Sequence, residues 1–396
     1  MTSWKRNLVF IWFSQFLSIT GFSLALPFAP FYIQQLGVTD PDAVKFWSAL
    51  SQSVTGISLA IMAPVWGTLA DRYGRKLMML RANFASVFVL GAMAFAPNAA
   101  VFVALRFAQG MFSGTINAAM TFMATSAPRD RQGVALGSLT AAVSTGQMVG
   151  PFVGGFLADW IGYRWTFIAS GVMLLLAGLL ILIPVQEQFV PPVPEELPRR
   201  ATWRERVAGL GPGAPILVLL FLMASARSFD GAILPLYVQE IHGRLEGASR
   251  WTGMLNGVAA VGAMLAGLML GRLADTVRPP LIGKLSSIGG AVAMLATGVL
   301  PAFSVVFPAR FFLAFAGGGL DPVFQVWLSR VTPAHRRGTI FGWSVTAKSL
   351  GWALSPMASG VVAVYLGIPA VFLLGPVLFL GLIPLIDWAS RRVANL

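Results

Sequence analysis

Fifteen acidic residues serve a chain of 396, and two of them, Asp230 and Asp321, fall well inside long apolar stretches. A carboxylate in such surroundings has a pKa that moves with its exposure, which suits it to take up and release a proton. Arg227 stands three residues before Asp230, so on a helix the two share a face and could pair. That leaves Asp230 either a proton carrier or half of a fixed ion pair. Asp321 follows Gly317-Gly318-Gly319 and precedes Pro322, a stretch expected to be irregular, and Arg310 lies three turns earlier in the same run. Asp321 ranks first and Asp230 second as the protonatable group, with Arg227 and Arg310 as cationic neighbours. Arg106 and Lys348 are further cations inside apolar runs. Other chemistry is poorly served. There are no cysteines, so thiolate catalysis and disulfides are excluded. His242 and His335 lie far apart near segment ends and read as solvated, with no metal site. No phosphate-cradling G-x-x-x-x-G-K-[ST] loop occurs, and no serine, histidine and acid set is credible inside the apolar runs, so neither ATP-driven work nor hydrolysis is expected.

The elements that must position these charges cross a membrane. The chain is 56% hydrophobic and 11% charged, against roughly 25% charged in a soluble domain. The net charge of +13 does not point to nucleic acid, because the cations sit in short breaks between apolar runs rather than on one face. A bilayer core takes about 20 apolar residues per helix. Cutting at charged and Pro/Gly-rich breaks predicts twelve spans, at 8–36, 44–70, 77–96, 100–125, 133–160, 165–186, 214–242, 251–274, 280–301, 303–330, 338–366 and 370–390. Trp4-Lys5-Arg6 opens like a signal peptide, but the apolar run behind it is too long for a signal core and reads as the first span. Residues 187–213, with Pro191-Pro192-Val193-Pro194, form the expected linker between 1–186 and 214–396, with a short surface helix around Thr202 to Val207. Twenty cations fall toward one side and four toward the other, Lys45, Arg164, Arg244 and Arg250, which predicts both termini and the linker on the cytoplasmic side.

The two halves repeat each other. Arg106-Phe107 recurs as Arg310-Phe311, and Gly67-Thr68-Leu69-Ala70-Asp71 as Gly271-Arg272-Leu273-Ala274-Asp275, both at an offset of 204. Pro30-Phe31-Tyr32-Ile33-Gln34 matches Pro235-Leu236-Tyr237-Val238-Gln239 at 205. Pro128, Gly133, Gly137, Pro151 and Gly155 match Pro333, Gly338, Gly342, Pro356 and Gly360 at the same offset. Parallel repeats of this kind place their binding sites near the midplane, where the repeats meet.

Three motifs then carry a resemblance. Gly67-Thr68-Leu69-Ala70-Asp71-Arg72-Tyr73-Gly74-Arg75-Lys76 resembles the loop signature between the second and third helices of the major facilitator superfamily. Asp71 can pair there with Arg72, Arg75 or Lys76 and with a helix N-terminus, a clasp that gates the cytoplasmic side. Gly137, Gly146, Gly150-Pro151 and Gly154-Gly155 in the fifth span have the spacing of the drug:proton antiporter signature. Glycines let a second helix approach closely and Pro151 permits a bend, so this helix suits a rocking seam. Arg106-Phe107-Ala108-Gln109-Gly110 is similar to the R-x-x-Q-G element of the same family, which implies that Arg106 assists proton coupling or shapes a cavity; the bland alternative is an arginine tied to a carbonyl or to Gln109. The chain as a whole resembles bacterial twelve-helix multidrug efflux proteins of that family, with Trp4-Lys5-Arg6-Asn7-Leu8 and Leu26-Pro27-Phe28 adding to the match. One departure stands out. Some members carry an acid inside the first or fourth helix, and spans one to four here have none.

The resemblance implies an all-α integral membrane protein of twelve transmembrane helices in two pseudo-symmetric six-helix bundles. It also implies proton-coupled antiport of small amphipathic molecules across the bacterial inner membrane, powered by the proton gradient without a cofactor, by a monomer whose partners are substrate, protons and lipid. Spans one, four, seven and ten would line the cavity. Candidates are Phe22, Phe28, Tyr32, Asn117, Phe229, Tyr237, Phe324, Trp327 and Lys348, with Gln52 and Asn256 from flanking spans; for any single aromatic ring, helix packing is the stronger reading. A specific metabolite exporter, for a sugar or a siderophore, is the alternative, and a non-pumping sensor or channel the third reading. The excess of cations in the second half leaves an anionic or zwitterionic substrate open.

Overall fold

Backbone that crosses hydrocarbon must satisfy its own N–H and C=O groups, and an apolar run does so by coiling into a helix. The computed structural model describes residues 3–128, 130–187, 189, 213–332 and 337–394, and its regular structure is all helix. Most of the expected linker, with its surface helix, lies outside the described residues, as does His335.

Nine of the spans form in the predicted places as single helices: Pro41–Tyr73, Arg75–Met93, Gln132–Ile161, Tyr163–Leu182, Ala248–Thr276, Pro279–Val299, Phe303–Val331, Arg337–Leu366 and Ile368–Ala394. Three are broken. The first runs Ser3–Ala25, a 3-10 turn Leu26–Phe28, then Ala29–Gln35, because Pro27 and Pro30 remove backbone donors and suit only helix starts. The fourth is split into Ala99–Phe112 and Thr115–Ser126 at Gly114. The seventh is split into Ala214–Ser228 and Leu234–His242, with Pro235 opening the second piece. Ten of the spans are long and apolar enough to cross a membrane by length and composition. The glycine- and serine-rich fifth and the broken seventh complete twelve. Phe88, Ile183 and Val292 lie on outer faces, where lipid rather than water suits them.

Helix starts follow local chemistry. Asp40 accepts from the Ala43 N–H and Asn98 from the Val101 N–H, each capping the helix behind it. Gly162 alone joins the fifth span to the sixth, and Gly367 the eleventh to the twelfth, at φ of 83° and 89°. A side chain at either would strain the turn.

By contact the chain forms two compact units. One is Met1–Trp47, Ile57–Leu197 and Arg244–Gly257; the other is Ser48–Gly56, Pro198–Gly243 and Val258–Leu396. Within the first, span one packs on five and six, and span three on four and six. Within the second, span seven packs on eleven and twelve, and span nine on ten and twelve. The same partners recur six spans on, so the sequence repeat is a structural one. Side chains repeat too. The Tyr32 hydroxyl donates to the Met93 carbonyl at 2.8 Å, and the Tyr237 hydroxyl, 205 positions on, to the Thr297 carbonyl at 2.5 Å.

Candidate functional site

The charges predicted inside the spans come together in the second unit. Asp230 is 1% exposed and sits in the turn between the two pieces of the seventh span, where the N–H groups of Ile233 and Leu234 close on its carbonyl. Its carboxylate is paired with the Arg310 guanidinium of the tenth span. The expected partner was Arg227, one turn back. That pairing needs a continuous helix, and the helix ends at Ser228, before Asp230. The irregularity expected around Asp321 is absent: Phe303–Val331 is one helix through Gly317-Gly318-Gly319 and Pro322. The glycines serve packing instead. A Cβ on Gly317 would meet Arg227 Cγ at 3.1 Å, and one on Gly318 would meet the Ala263 backbone at 2.8 Å.

Asp321 is held by Lys348 of the eleventh span, whose Nζ lies 3.0 and 3.2 Å from the two carboxylate oxygens. Arg227 lies across Gly317, is accessible, and feels the Asp321 charge. Three cations thus meet two carboxylates. The two pairs differ in kind. Asp230 and Arg310 are 2% and 12% exposed in their side chains, whereas Asp321 and Lys348 are 33% and 27% exposed. Removing one partner of a sealed pair costs about 3–5 kcal/mol, because the other charge is left stranded. A partly exposed pair loses less when it parts and re-forms. Asp321 therefore has the geometry of an exchangeable group and Asp230 that of a fixed strut.

In the first unit Arg106 is buried and donates to the Gln109 side chain at 2.6 Å, the tie anticipated as the bland alternative for this arginine. The cavity candidates divide. Phe28, Tyr32, Phe229, Tyr237, Phe324 and Trp327 are all buried, with exposures of 6% or less, and both tyrosine hydroxyls are spent on backbone carbonyls. These six pack against neighbouring helices. Phe22, Gln52, Asn256 and Lys348 are half-buried and Asn117 is exposed. Gln52, which belongs to the second unit, stands beside Gly231 next to the Asp230 turn.

The loop motif forms a clasp with an unforeseen member. Arg75 pairs with Asp71 at 2.9 Å, while Arg72 lies beside the Tyr73 ring. The N-terminus of the third span, left open by Gly74 at φ 92°, is capped by Glu187, whose oxygens accept from the Arg75 and Lys76 N–H groups at 2.8 Å each. Lys76 reaches back to the Leu182 and Val185 carbonyls at 2.9 and 2.7 Å, and Asn7 clips Gln186 at 2.8 Å. Glu187 had the look of a plain linker acid; its place directly behind the sixth span was the available signal. In the second half, the side chains at Gly271, Ala274 and Asp275 lie outside the described residues.

In the fifth span, Gly146 and Gly150 face the first span. Added Cβ atoms would stand 2.9 Å from Ile19 Cβ and 2.6 Å from Ser23 Cβ. Gly154 lies against the Leu24 carbonyl, and Gly155 against Ser249 and Gly253. Gly137 departs from the expected seam, with nothing within 4 Å of its added Cβ. In the second unit Gly351 meets the seventh span in the same way, and Ser355, at the position matching Gly150, turns its hydroxyl to the Ser225 carbonyl at 2.6 Å.

Two six-span repeats, a clasped loop and a glycine-faced seam define a polytopic membrane transporter. The chain belongs to the Major Facilitator Superfamily, whose profile matches residues 11–308 and 245–394. It is 34% identical over 382 residues to the multidrug resistance protein MdtG of Klebsiella pneumoniae (strain 342), covering 95% of this chain and 92% of that one. It is 31% identical over 376 residues to the multi-drug resistance efflux pump PmrA homolog of Lactococcus lactis subsp. lactis (strain IL1403), covering 92% and 90%. Among solved structures, a bacterial homolog of the human lysosomal transporter Spinster, in an inward-facing and occupied conformation, superposes with a TM-score of 0.81 at 15% identity over 99% of this chain and 98% of that one. The nucleoside transporter NupG superposes at 0.79 and 11% identity, over 97% and 99%. These likenesses fix the fold.

Proposed function

We propose that the protein exports small amphipathic molecules from the bacterial cytoplasm in exchange for protons, by alternating access of two halves, 1–186 and 214–396, joined by the segment 187–213. The names of the relatives support multidrug efflux, and similarity over nearly their whole length supports the same activity here. The observation that carries the coupling is the pair of intramembrane carboxylates, one sealed and one open. In this reading Asp321 takes the proton, Lys348 is released when it does, and Asp230 with Arg310 keeps the broken seventh span on the tenth. Arg106 shapes the first half. The protein works as a monomer in the inner membrane with both termini cytoplasmic, and it needs no cofactor.

Asp321→Asn is the test. In inverted vesicles the variant should lose proton-driven uptake of an amphipathic dye while retaining dye binding. Coupled uptake at the wild-type rate would remove Asp321 from the mechanism. A second reading, export of one particular metabolite with a negative group, is favoured by the accessible Arg227 beside the Lys348–Asp321 pair. A resistance screen confined to anionic compounds, with no response to cationic dyes, would choose it.

A further inference from the structure

The first unit holds a cavity of about 290 Å³ between the second, third and fourth spans. Its wall includes Ala63, Trp66, Arg75, Arg81, Asn117 and Thr121. We propose that this cavity is a binding site for a phosphoryl oxyanion, held by Arg81. The inference stands apart from the export reading and from the charges of the second unit.

Arg81 is the reason. It lies six residues inside the third span, about 9 Å along the helix from its start. Its guanidinium lies over the Trp66 ring, Cζ 3.5 Å from the centroid, and the Trp66 indole N–H is itself anchored to the Met111 carbonyl at 2.6 Å. A guanidinium has five N–H donors. One terminal nitrogen of Arg81 donates to the Ser113 carbonyl at 3.3 Å, while Nε and Nη1 are buried with no hydrogen-bond partner. Among the described residues no carboxylate pairs with it; the acid in the wall, Asp71, is engaged by Arg75. A cation at this depth with unused donors and no counter-charge is costly. The wall carries two arginines against one aspartate, so a bound anion would restore neutrality.

The positive charge of an arginine held on an indole, in a wall it shares with Arg75, attracts the oxygens of a phosphate. Asn117 and Thr121 add polar atoms to the wall, while Leu59, Ala63 and Met78 leave room for a short apolar stem. Gly67 of the loop motif has nothing within 4 Å of an added Cβ and opens on the same space. The phosphoryl group can arrive on a soluble phosphate or on the headgroup of an anionic phospholipid. Either would sit beside Arg75 and compete with Asp71 for it, which makes the clasp responsive to the occupant.

The test uses the purified full chain and two probes. In detergent, inorganic phosphate is titrated against chloride at matched ionic strength, and thermal unfolding and tryptophan emission are followed. In nanodiscs, phosphatidylcholine alone is compared with a phosphatidylglycerol mixture. Stabilisation by phosphate identifies a soluble ligand, stabilisation by phosphatidylglycerol a lipid one, and both together a shared site. Arg81→Gln should weaken the response by about tenfold to a hundredfold, Arg81→Lys by less, and Ala63→Leu should weaken it by crowding the cavity with Arg81 intact. Ligand-free unfolding curves check that each variant folds. Absence of any response in both arms, or a response of wild-type strength in Arg81→Gln and Ala63→Leu, overturns the proposal.

Discussion

Replacing Gly150 by alanine should loosen the first unit measurably. The added Cβ would stand 2.6 Å from Ser23 Cβ and 2.8 Å from the Thr20 carbonyl oxygen. Carbon atoms in contact settle near 3.5–4.0 Å, so the first and fifth spans must part by roughly 1 Å. Both neighbours belong to or adjoin helix backbone, so no flexible side-chain tip can give way. Overpacking of this kind costs about 1–3 kcal/mol. Alanine returns about 0.5–1 kcal/mol through its higher helix preference. The difference, roughly 0.5–2 kcal/mol, lowers the unfolding midpoint by about 1–8 °C for a unit of this size. Gly137→Ala supplies the control, because nothing lies within 4 Å of its added Cβ; it should hold the midpoint or raise it slightly. Differential scanning fluorimetry of the two variants in one detergent makes the comparison. Equal midpoints for Gly150→Ala and Gly137→Ala would refute the reasoning that the motif glycines of the fifth span act by close approach.

Asp230→Asn should cost about 3–5 kcal/mol by stranding Arg310, and Asp230→Asn combined with Arg310→Gln should cost less than the sum of the single changes; additive losses in chemical unfolding would mean that the pair does not act as a unit. Glu187→Ala should leave two backbone donors of the third span uncapped, at a cost of about 0.5–2 kcal/mol. Hydrogen exchange at the Arg75 and Lys76 amides should speed up while exchange in the ninth span stays constant, and unchanged protection at those two amides would dismiss the cap.

Much of the architecture was legible because membrane helices write their length directly in composition. Each predicted span overlaps its observed helix to within a few residues, and the repeat seen in Tyr32 and Tyr237 became a repeated hydrogen bond. The charge pairs were not legible. Asp230 and Arg310 are 80 residues apart, and their meeting depends on the break at Ser228 and on how the seventh and tenth spans cross. A helical count placed Asp230 beside Arg227 because it had no way to register that the helix stops there. At Asp321 the opposite happened: three glycines and a proline suggested disruption, yet the helix persists because those glycines admit Arg227 and Ala263. Aromatic residues were ambiguous for a third reason. A ring on a membrane helix is equally at home against a ligand or against another helix, and only burial separates Phe324 and Trp327 from the half-open Phe22. Glu187 shows that a cap can come from more than a hundred residues away in sequence.

The single-residue elbow at Gly162 has a mechanical corollary. With no slack between Ile161 and Tyr163, any swing of the glycine-lined fifth span is handed to the sixth as a lever is turned by its crank. The far end of that lever, at Leu182 and Val185, is tethered by Lys76 and clipped through Gln186 to Asn7. A displacement begun at one face of the bilayer is thereby delivered to the loop clasp at the other, without a dedicated signalling segment.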